Sequence, residues 1–324
     1  MKRYRLPNTT LEVSRIAYGC MRLGRWHASE PSHDDVRAAL EAIGAALDEG
    51  ITLFDHADIY GRGQSEKIFA AVWDAFPGIR DRIVVQSKCG IRFADNPPGA
   101  PQRYDFSYEH IVAAVEGSLR RLGTDYLDIL LLHRPDPLVE PDEVARAFDF
   151  LLSAGKVRYF GVSNHTPEQI ALLQAHLDRP LIANQLQLSL LHAHMIDAGI
   201  VANRSGVTPE HALAAGTLDF CRRHDILVQA WGPVDGGRLF DPPADAPANV
   251  RETAALIADL AEEMSTTREA IALAWLLRHP AGIQPIIGTT NPARVRASCR
   301  ADALTLSRET WYRLYIAARG DRLP

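Results

Sequence analysis

The sequence predicts an α/β chain folded as a closed (β/α)8 TIM barrel, with an N-terminal β-hairpin and a C-terminal helix, as one domain over residues 1–324. Two observations carry this. Short apolar runs bounded by turn residues alternate with stretches of helical spacing, the pattern of parallel strands joined by crossover helices. Eight such units occur, the number that closes a barrel. An open doubly wound sheet is the rival, but no G-x-G-x-x-G turn follows the first strand.

In chain order, residues 2–13 form two extended pieces about Pro7-Asn8-Thr9, a hairpin signature. An apolar strand over 15–19 ends at Gly19-Cys20-Met21. A helix over 32–49 opens on Ser32 and stops at Gly50. The second strand, 51–56, is followed by a helix over 66–76. The third, 83–88, ends on Lys88. A long Pro- and Gly-rich loop, 91–106, precedes a helix over 107–122. The fourth strand, 126–133, ends on His133, because Pro135 and Pro137 cannot continue it. A helix over 143–153 leads to the fifth strand, 157–162, and Pro167 opens the next helix. The sixth strand, 181–187, enters a segment, 188–206, with no clear period. A helix over 209–224, a strand over 226–230, helices over 250–264 and 268–278, and a last strand over 284–287 follow. Helices from Pro292 to about 300 and over 307–318 close the chain.

Composition excludes several classes. A net charge of −5 gives no basic field for nucleic acid. No run of 18 apolar residues offers a membrane span. Four scattered cysteines form no CxxC pair, so they read as reduced thiols of a cytoplasmic protein. His192 and His194 make a His-x-His pair, but without further ligands nearby no metal is expected.

The chemistry gathers at strand ends. Asp55, Lys88 and His133 terminate the second, third and fourth strands, and the loop after Asp55 carries Tyr60. Neighbouring strands lie about 5 Å apart, so these groups can touch. Taken singly, Asp55 reads as a loop cap, Lys88 as a snorkelling surface lysine, His133 as a rim histidine and Tyr60 as a packed aromatic. Together they have a shared use. A carboxylate holds an ammonium, the ammonium lowers the pKa of a phenol, and the phenol protonates a carbonyl oxygen while another group delivers hydride.

Six segments then resemble one family. They are Phe-Asp-His-Ala-Asp-Ile-Tyr-Gly at 54–61, Ser-Lys-Cys-Gly at 87–90, Leu-Leu-His-Arg-Pro-Asp at 131–136, Gly-Val-Ser-Asn at 161–164, Asn-Gln at 184–185 and Ile-Ile-Gly-Thr-Thr-Asn-Pro-Ala-Arg-Val at 286–295. In content and order the chain resembles the aldo-keto reductases, in their bacterial short-tailed branch. The resemblance implies a catalytic set of Asp55, Tyr60, Lys88 and His133, with Tyr60 as proton donor and His133 orienting the substrate. It implies an NADP(H) site with Gly19, Cys20 and Met21 near the nicotinamide ribose, and Ser163, Asn164 and Gln185 on its carboxamide. Trp231 would stack on the ring, with Gly232, Pro233 and Arg238 over the pyrophosphate. Gly288, Thr289, Thr290, Asn291, Arg294 and Ser298 would hold the adenosine end, Arg294 favouring the 2′-phosphate. Some positions depart from the family pattern: Gly288 stands where lysine or arginine is frequent, and Ala297 and Ser298 where a carboxylate and an asparagine are.

The expected reaction is reversible reduction of an aldehyde or ketone. Trp26 and the loops 92–106 and 188–206 would wall the substrate pocket. The expected partner is a small carbonyl or alcohol, with no nucleic acid or membrane, for a monomer or weak oligomer. Two other classes are open to such a sequence: a nicotinamide-binding redox-sensing partner subunit with little turnover, and a sugar or phosphate binder. The clusters at 163–164 and 289–294 weigh against the second.

Overall fold

A computed structural model describes residues 1–24, 30–201 and 207–324. Eight strands close into a barrel in chain order: β1 (Ala17–Gly19), β2 (Leu53–Asp55), β3 (Val84–Cys89), β4 (Leu127–Leu132), β5 (Val157–Ser163), β6 (Leu181–Gln187), β7 (Leu227–Trp231) and β8 (Gln284–Ile287). All neighbours are parallel, and the ring shuts where Ile286 and Ile287 of β8 face Ala17 and Tyr18 of β1. The hairpin pairs Arg3–Arg5 antiparallel with Glu12–Ser14. Its apolar residues Leu6, Leu11 and Val13 pack with Leu53, Val84 and Leu227, and so plug the N-terminal end of the lumen.

Side chains alternate across each strand. On β2, Leu53 and Asp55 point into the lumen and Phe54 packs outward; on β3, Val84 lies inside and Val85 outside. This alternation carries Gln86 and Lys88 inward on the same face as Val84. Val84, Gln86 and Lys88 are therefore stacked from the apolar plug towards the C-terminal rim.

The helices begin where the residues allow. Ser32 and Asp35 form a reciprocal capping box: the Asp35 N–H donates to the Ser32 hydroxyl at 3.2 Å and the Ser32 N–H to the Asp35 carboxylate at 3.1 Å. Helix His33–Asp48 follows. Thr166 and Gln169 repeat the device before Pro167–Gln174.

Two helix expectations are corrected, and two stretches left without elements gain them. The helix read over 66–76 is two pieces, Gln64–Phe69 and Val72–Ala75, because i→i−3 bonds from Ala71 to Ile68 and Trp73 to Ala70 tighten the turn between them. The helix read over 209–224 breaks into Pro209–Ala214 and Thr217–Arg223, because Ala215 is extended and Gly216 takes a left-handed φ of 71°. The segment without a period contains a helix, His194–Ile200. The 91–106 loop carries its own antiparallel pair, Ile91–Arg92 with Arg103–Tyr104.

Gly161 shows how tightly the wall is closed. A Cβ there would lie 2.7 Å from the Ala183 carbonyl oxygen of β6 and 2.7 Å from Leu131 of β4. Gly161→Ala is expected to lower stability by about 1–3 kcal/mol, measured as the shift in a denaturant midpoint.

Candidate active site

The C-terminal ends of β2, β3 and β4 bring together the four residues that the sequence singled out. The chain leaving β2 is bound to the end of β3: the His56 N–H donates to the Gln86 carbonyl at 2.8 Å, and the Asp58 N–H to the Lys88 carbonyl at 3.0 Å. Gly61 and Arg62 then adopt left-handed conformations, with φ of 56° and 55°, in the turn that begins at Tyr60. The Lys88 ammonium donates to Asp55 Oδ2 at 2.8 Å, to the His56 carbonyl at 2.8 Å and to the Tyr60 hydroxyl at 2.9 Å. Its three protons are thus all committed, and its side chain has no exposure to solvent. His133 meets Tyr60 edge to face, ring centres 6.0 Å apart.

Burial and neighbouring charge set the protonation states. Burial by itself would push the Lys88 ammonium down, but Asp55 and then Tyr60 outweigh it, and the pKa lies above the ordinary lysine value. Burial raises the Tyr60 phenol; Lys88 pulls it back only in part, so the net direction is upward. The expectation that the ammonium would make this phenol more acidic is corrected on this point, since desolvation wins in the closed site. Burial, then the charges of Lys88 and Arg134, holds His133 well below the usual imidazole value, so the ring is neutral at pH 7. Its Nδ1 is buried without a hydrogen-bond partner.

The residues assigned to a cofactor ring the same rim. The Ser163 hydroxyl donates to the Gln185 carbonyl at 2.8 Å and accepts from the Asn164 amide at 2.8 Å. Asn164 takes a left-handed φ of 61°, and its Oδ1 accepts the Trp231 indole N–H at 3.1 Å. Gln185 turns its amide donors inward, to Asp55 and Gln229. Cys20 is buried and its neighbour Met21 is 43% exposed on the rim. A Cβ on Gly19 would meet Ile286 at 2.9 Å, so β1 and β8 approach closely there. Gly232 precedes Pro233, and the loop continues through Gly236 and Gly237; all three glycines have positive φ and open space where a Cβ would stand. Arg238 lies 3.7 Å from Asp235.

At the end of β8, Gly288 and Thr290 are exposed, Thr289 is half-buried and Ser298 is buried. Asn291 caps the helix Pro292–Cys299 itself, its Oδ1 accepting from the N–H groups of Ala293 at 2.9 Å and Arg294 at 3.4 Å. The free group at this helix start is therefore the exposed Arg294 side chain rather than bare backbone amides. An open glycine-lined loop, an asparagine beside an indole, and an exposed arginine fit the parts of a nicotinamide dinucleotide. Trp26 lies outside the described residues.

Sequence reasoning missed several groups. His56 has both ring nitrogens buried and unpartnered, and burial followed by the Lys88 charge lowers its pKa to about 3. Asp58 is pushed up to about 8, first by burial and then by Glu66. Gln86, Gln229 and Gln284 are buried glutamines inside otherwise apolar strands, a signal legible as polar letters at inward positions. The His192 and His194 rings meet edge to face with centres 4.4 Å apart. His194 also joins Asp197 and His211, with ligand atoms within 4.8 Å of one another, beside a cavity of about 500 Å³. There Asp197 Oδ1 already accepts from Tyr315 at 2.5 Å and the Arg319 guanidinium at 2.6 Å. The cluster thus holds a cation of its own and ties the C-terminal helix Arg308–Arg319 to the barrel.

Residues 15–318 match the Aldo/keto reductase family, and the chain belongs to that family. It is an oxidoreductase of a family whose usual cofactor is a nicotinamide dinucleotide. It is 38% identical to a 6-dehydroglucose reductase of Agrobacterium fabrum over 312 residues, covering 96% of each chain. It is likewise 38% identical to oxidoreductase YdhF of Escherichia coli, over 97% of this chain and 96% of that one. In fold it is similar to the glycerol dehydrogenase AKR11B4 of Gluconobacter oxydans, with a TM-score of 0.81 at 24% identity, covering 99% and 96% of the two chains. Among the described residues no helix is long and apolar enough to cross a membrane.

Asp58 gives a pH prediction. Its folded pKa, about 8, exceeds its ordinary value of 3.8, so between these pH values the folded state binds the extra proton. Stability from this group is complete below about pH 4 and is lost as pH rises through 8. Asp58→Asn is expected to stabilise the protein at pH 8 relative to pH 5, by more than about 1 kcal/mol, in urea unfolding at the two pH values.

Proposed function

We propose that the protein is an NADP(H)-dependent enzyme that reversibly reduces an aldehyde or ketone to an alcohol. The observation that carries this is the buried ammonium of Lys88, bonded at once to Asp55 and to the Tyr60 hydroxyl. When bound, the nicotinamide supplies hydride to the carbonyl carbon. Tyr60 gives its phenolic proton to the carbonyl oxygen; its raised pKa keeps that proton in place at neutral pH until the oxygen gains charge. The phenolate left behind sits against the Lys88 ammonium, which Asp55 keeps charged. Neutral His133 offers a hydrogen bond that orients the substrate oxygen. In the reverse direction the same phenolate takes the alcohol proton.

The cofactor set is read in parallel. Ser163, Asn164 and Gln185 would hold the carboxamide, Trp231 the nicotinamide ring, Gly19 to Met21 the ribose, and Gly232, Pro233 and Arg238 the pyrophosphate. Gly288 to Asn291, Arg294 and Ser298 would hold the adenosine end, with the Arg294 fork suited to a 2′-phosphate. The chain works as one cytoplasmic barrel domain, a monomer or weak oligomer, on a small carbonyl compound. The name of the Agrobacterium fabrum relative makes 6-dehydroglucose the first carbonyl to assay.

Two outcomes test this. Tyr60→Phe should lower kcat for NADPH oxidation by about 10²–10⁴ while the quenching of NADPH fluorescence on binding persists; normal turnover would refute the role of the phenol. Arg294→Ala should raise KM for NADPH by about tenfold or more with little change for NADH, as expected for loss of a charge-assisted contact to the 2′-phosphate. Equal effects on both cofactors would remove that assignment.

A further inference from the structure

We propose that four buried glutamines, Gln86, Gln185, Gln229 and Gln284, form a polarised chain of amides in the barrel lumen that positions the Asp55 carboxylate for the reaction. This rests on the reading of Tyr60 as proton donor.

The chain starts at the hairpin. The Gln284 amide donates to the Ser14 carbonyl at 2.8 Å, and a carbonyl can only accept. Gln284 must therefore present its oxygen to the next residue, and that oxygen accepts from Gln229 Nε2 at 3.0 Å. The second Gln229 N–H goes to the Gln86 oxygen at 3.1 Å. The Gln229 oxygen then accepts from Gln86 Nε2 at 2.9 Å and Gln185 Nε2 at 3.2 Å. The remaining N–H of each of these two donates to the same atom, Asp55 Oδ1, at 2.6 and 2.9 Å. Every N–H of Gln86, Gln185 and Gln229 is thus in use. Turning any of these three amides over would set N–H against N–H, or oxygen against the carboxylate.

The consequence falls on the charge that the ammonium needs. Two donors meet Asp55 Oδ1 and Lys88 meets Oδ2, so both oxygens of this side chain accept. The two donors also fix the rotation of the carboxylate about its last bond, and that rotation aims Oδ2 at Lys88. The register supports the arrangement: Asp55 faces Gln86 across β2 and β3, Gln185 faces Gln229 across β6 and β7, and Gln229 faces Gln284 across β7 and β8. Apolar side chains would fill a barrel lumen without the cost of burying four amides. A merely structural filling does not require that both free donors converge on one oxygen of a catalytic carboxylate.

The test uses Gln86→Leu, which keeps the volume and removes the donors, and Gln86→Glu, which keeps the shape and donates only when its carboxyl is protonated. Three quantities are read on the full chain: kcat for carbonyl reduction, the dissociation constant for NADPH, and the pH titration of the Tyr60 phenol by ultraviolet difference spectra against Tyr60→Phe. Gln86→Leu is expected to lower kcat by about tenfold or more with NADPH affinity within about twofold, and to move the phenol titration by about half a pH unit or more. Gln86→Glu is expected to recover kcat in part as pH falls, because its protonated carboxyl restores one of the two lost donors, the one to Asp55. Wild-type kcat and an unchanged phenol titration in Gln86→Leu, even with a lower melting temperature, would overturn the proposal and leave the glutamines as filling. Should the wild type reduce no carbonyl while the phenol titration still moves in Gln86→Leu, the assigned reaction fails and the coupling of glutamine to phenol stands.

Discussion

A lysine ammonium with no access to water organises this molecule. Stripping such an ion of solvent costs several kcal/mol, and a neutral amine would be the usual escape. Lys88 avoids it because Asp55, the His56 carbonyl and the Tyr60 hydroxyl each accept a hydrogen bond from its ammonium. Each acceptor makes a demand on the backbone. Asp55 needs the β2–β3 register, in which it faces Gln86 and stands beside Lys88. The His56 carbonyl and Tyr60 need the chain after β2 to fold back over β3, which the bonds from His56 and Asp58 and the left-handed turn at 61–62 achieve. Removing either member of the buried pair would leave the other uncompensated, typically at about 3–5 kcal/mol.

The lumen is graded along its axis. At the N-terminal end, Leu6, Leu11 and Val13 from the hairpin close it with apolar contacts. Next come the buried glutamine amides, which among the described residues bond to each other, to the Ser14 carbonyl and to Asp55. The ion pair lies above them, and the phenol and imidazole open on the rim. The low dielectric that makes unpaired groups costly also strengthens the bonds that are made. Burial raises the Tyr60 phenol and lowers His133 and His56, so the site at neutral pH holds one ammonium, one carboxylate and neutral rings.

Much of this was legible before the structure. Strand positions were readable because buried parallel strands are short apolar runs, and all eight fall within two residues of the expected limits at both ends. Helix starts at Ser32 and Pro167 were readable because caps are local chemistry. The breaks at 70–71 and at Gly216, and the helix His194–Ile200, were not. They depend on what the flanking segments pack against, and no periodicity in fewer than eight residues separates a short helix from a loop.

Sequence alone determined the inventory: eight strand-and-helix units, a carboxylate, a lysine and a histidine at successive strand ends, a tyrosine five residues beyond the carboxylate, and the family to which those letters belong. These are properties of order along the chain, and order is what a sequence records. Tertiary structure decided how the groups act on one another. Whether the phenol is pushed up or down depends on the balance between desolvation and one cation, which is a matter of distance and burial. That Gln86, Gln185, Gln229 and Gln284, separated by as many as 198 positions, form one chain of amides whose last two donors meet on a single carboxylate oxygen follows only when the barrel closes and turns their side chains to a common axis.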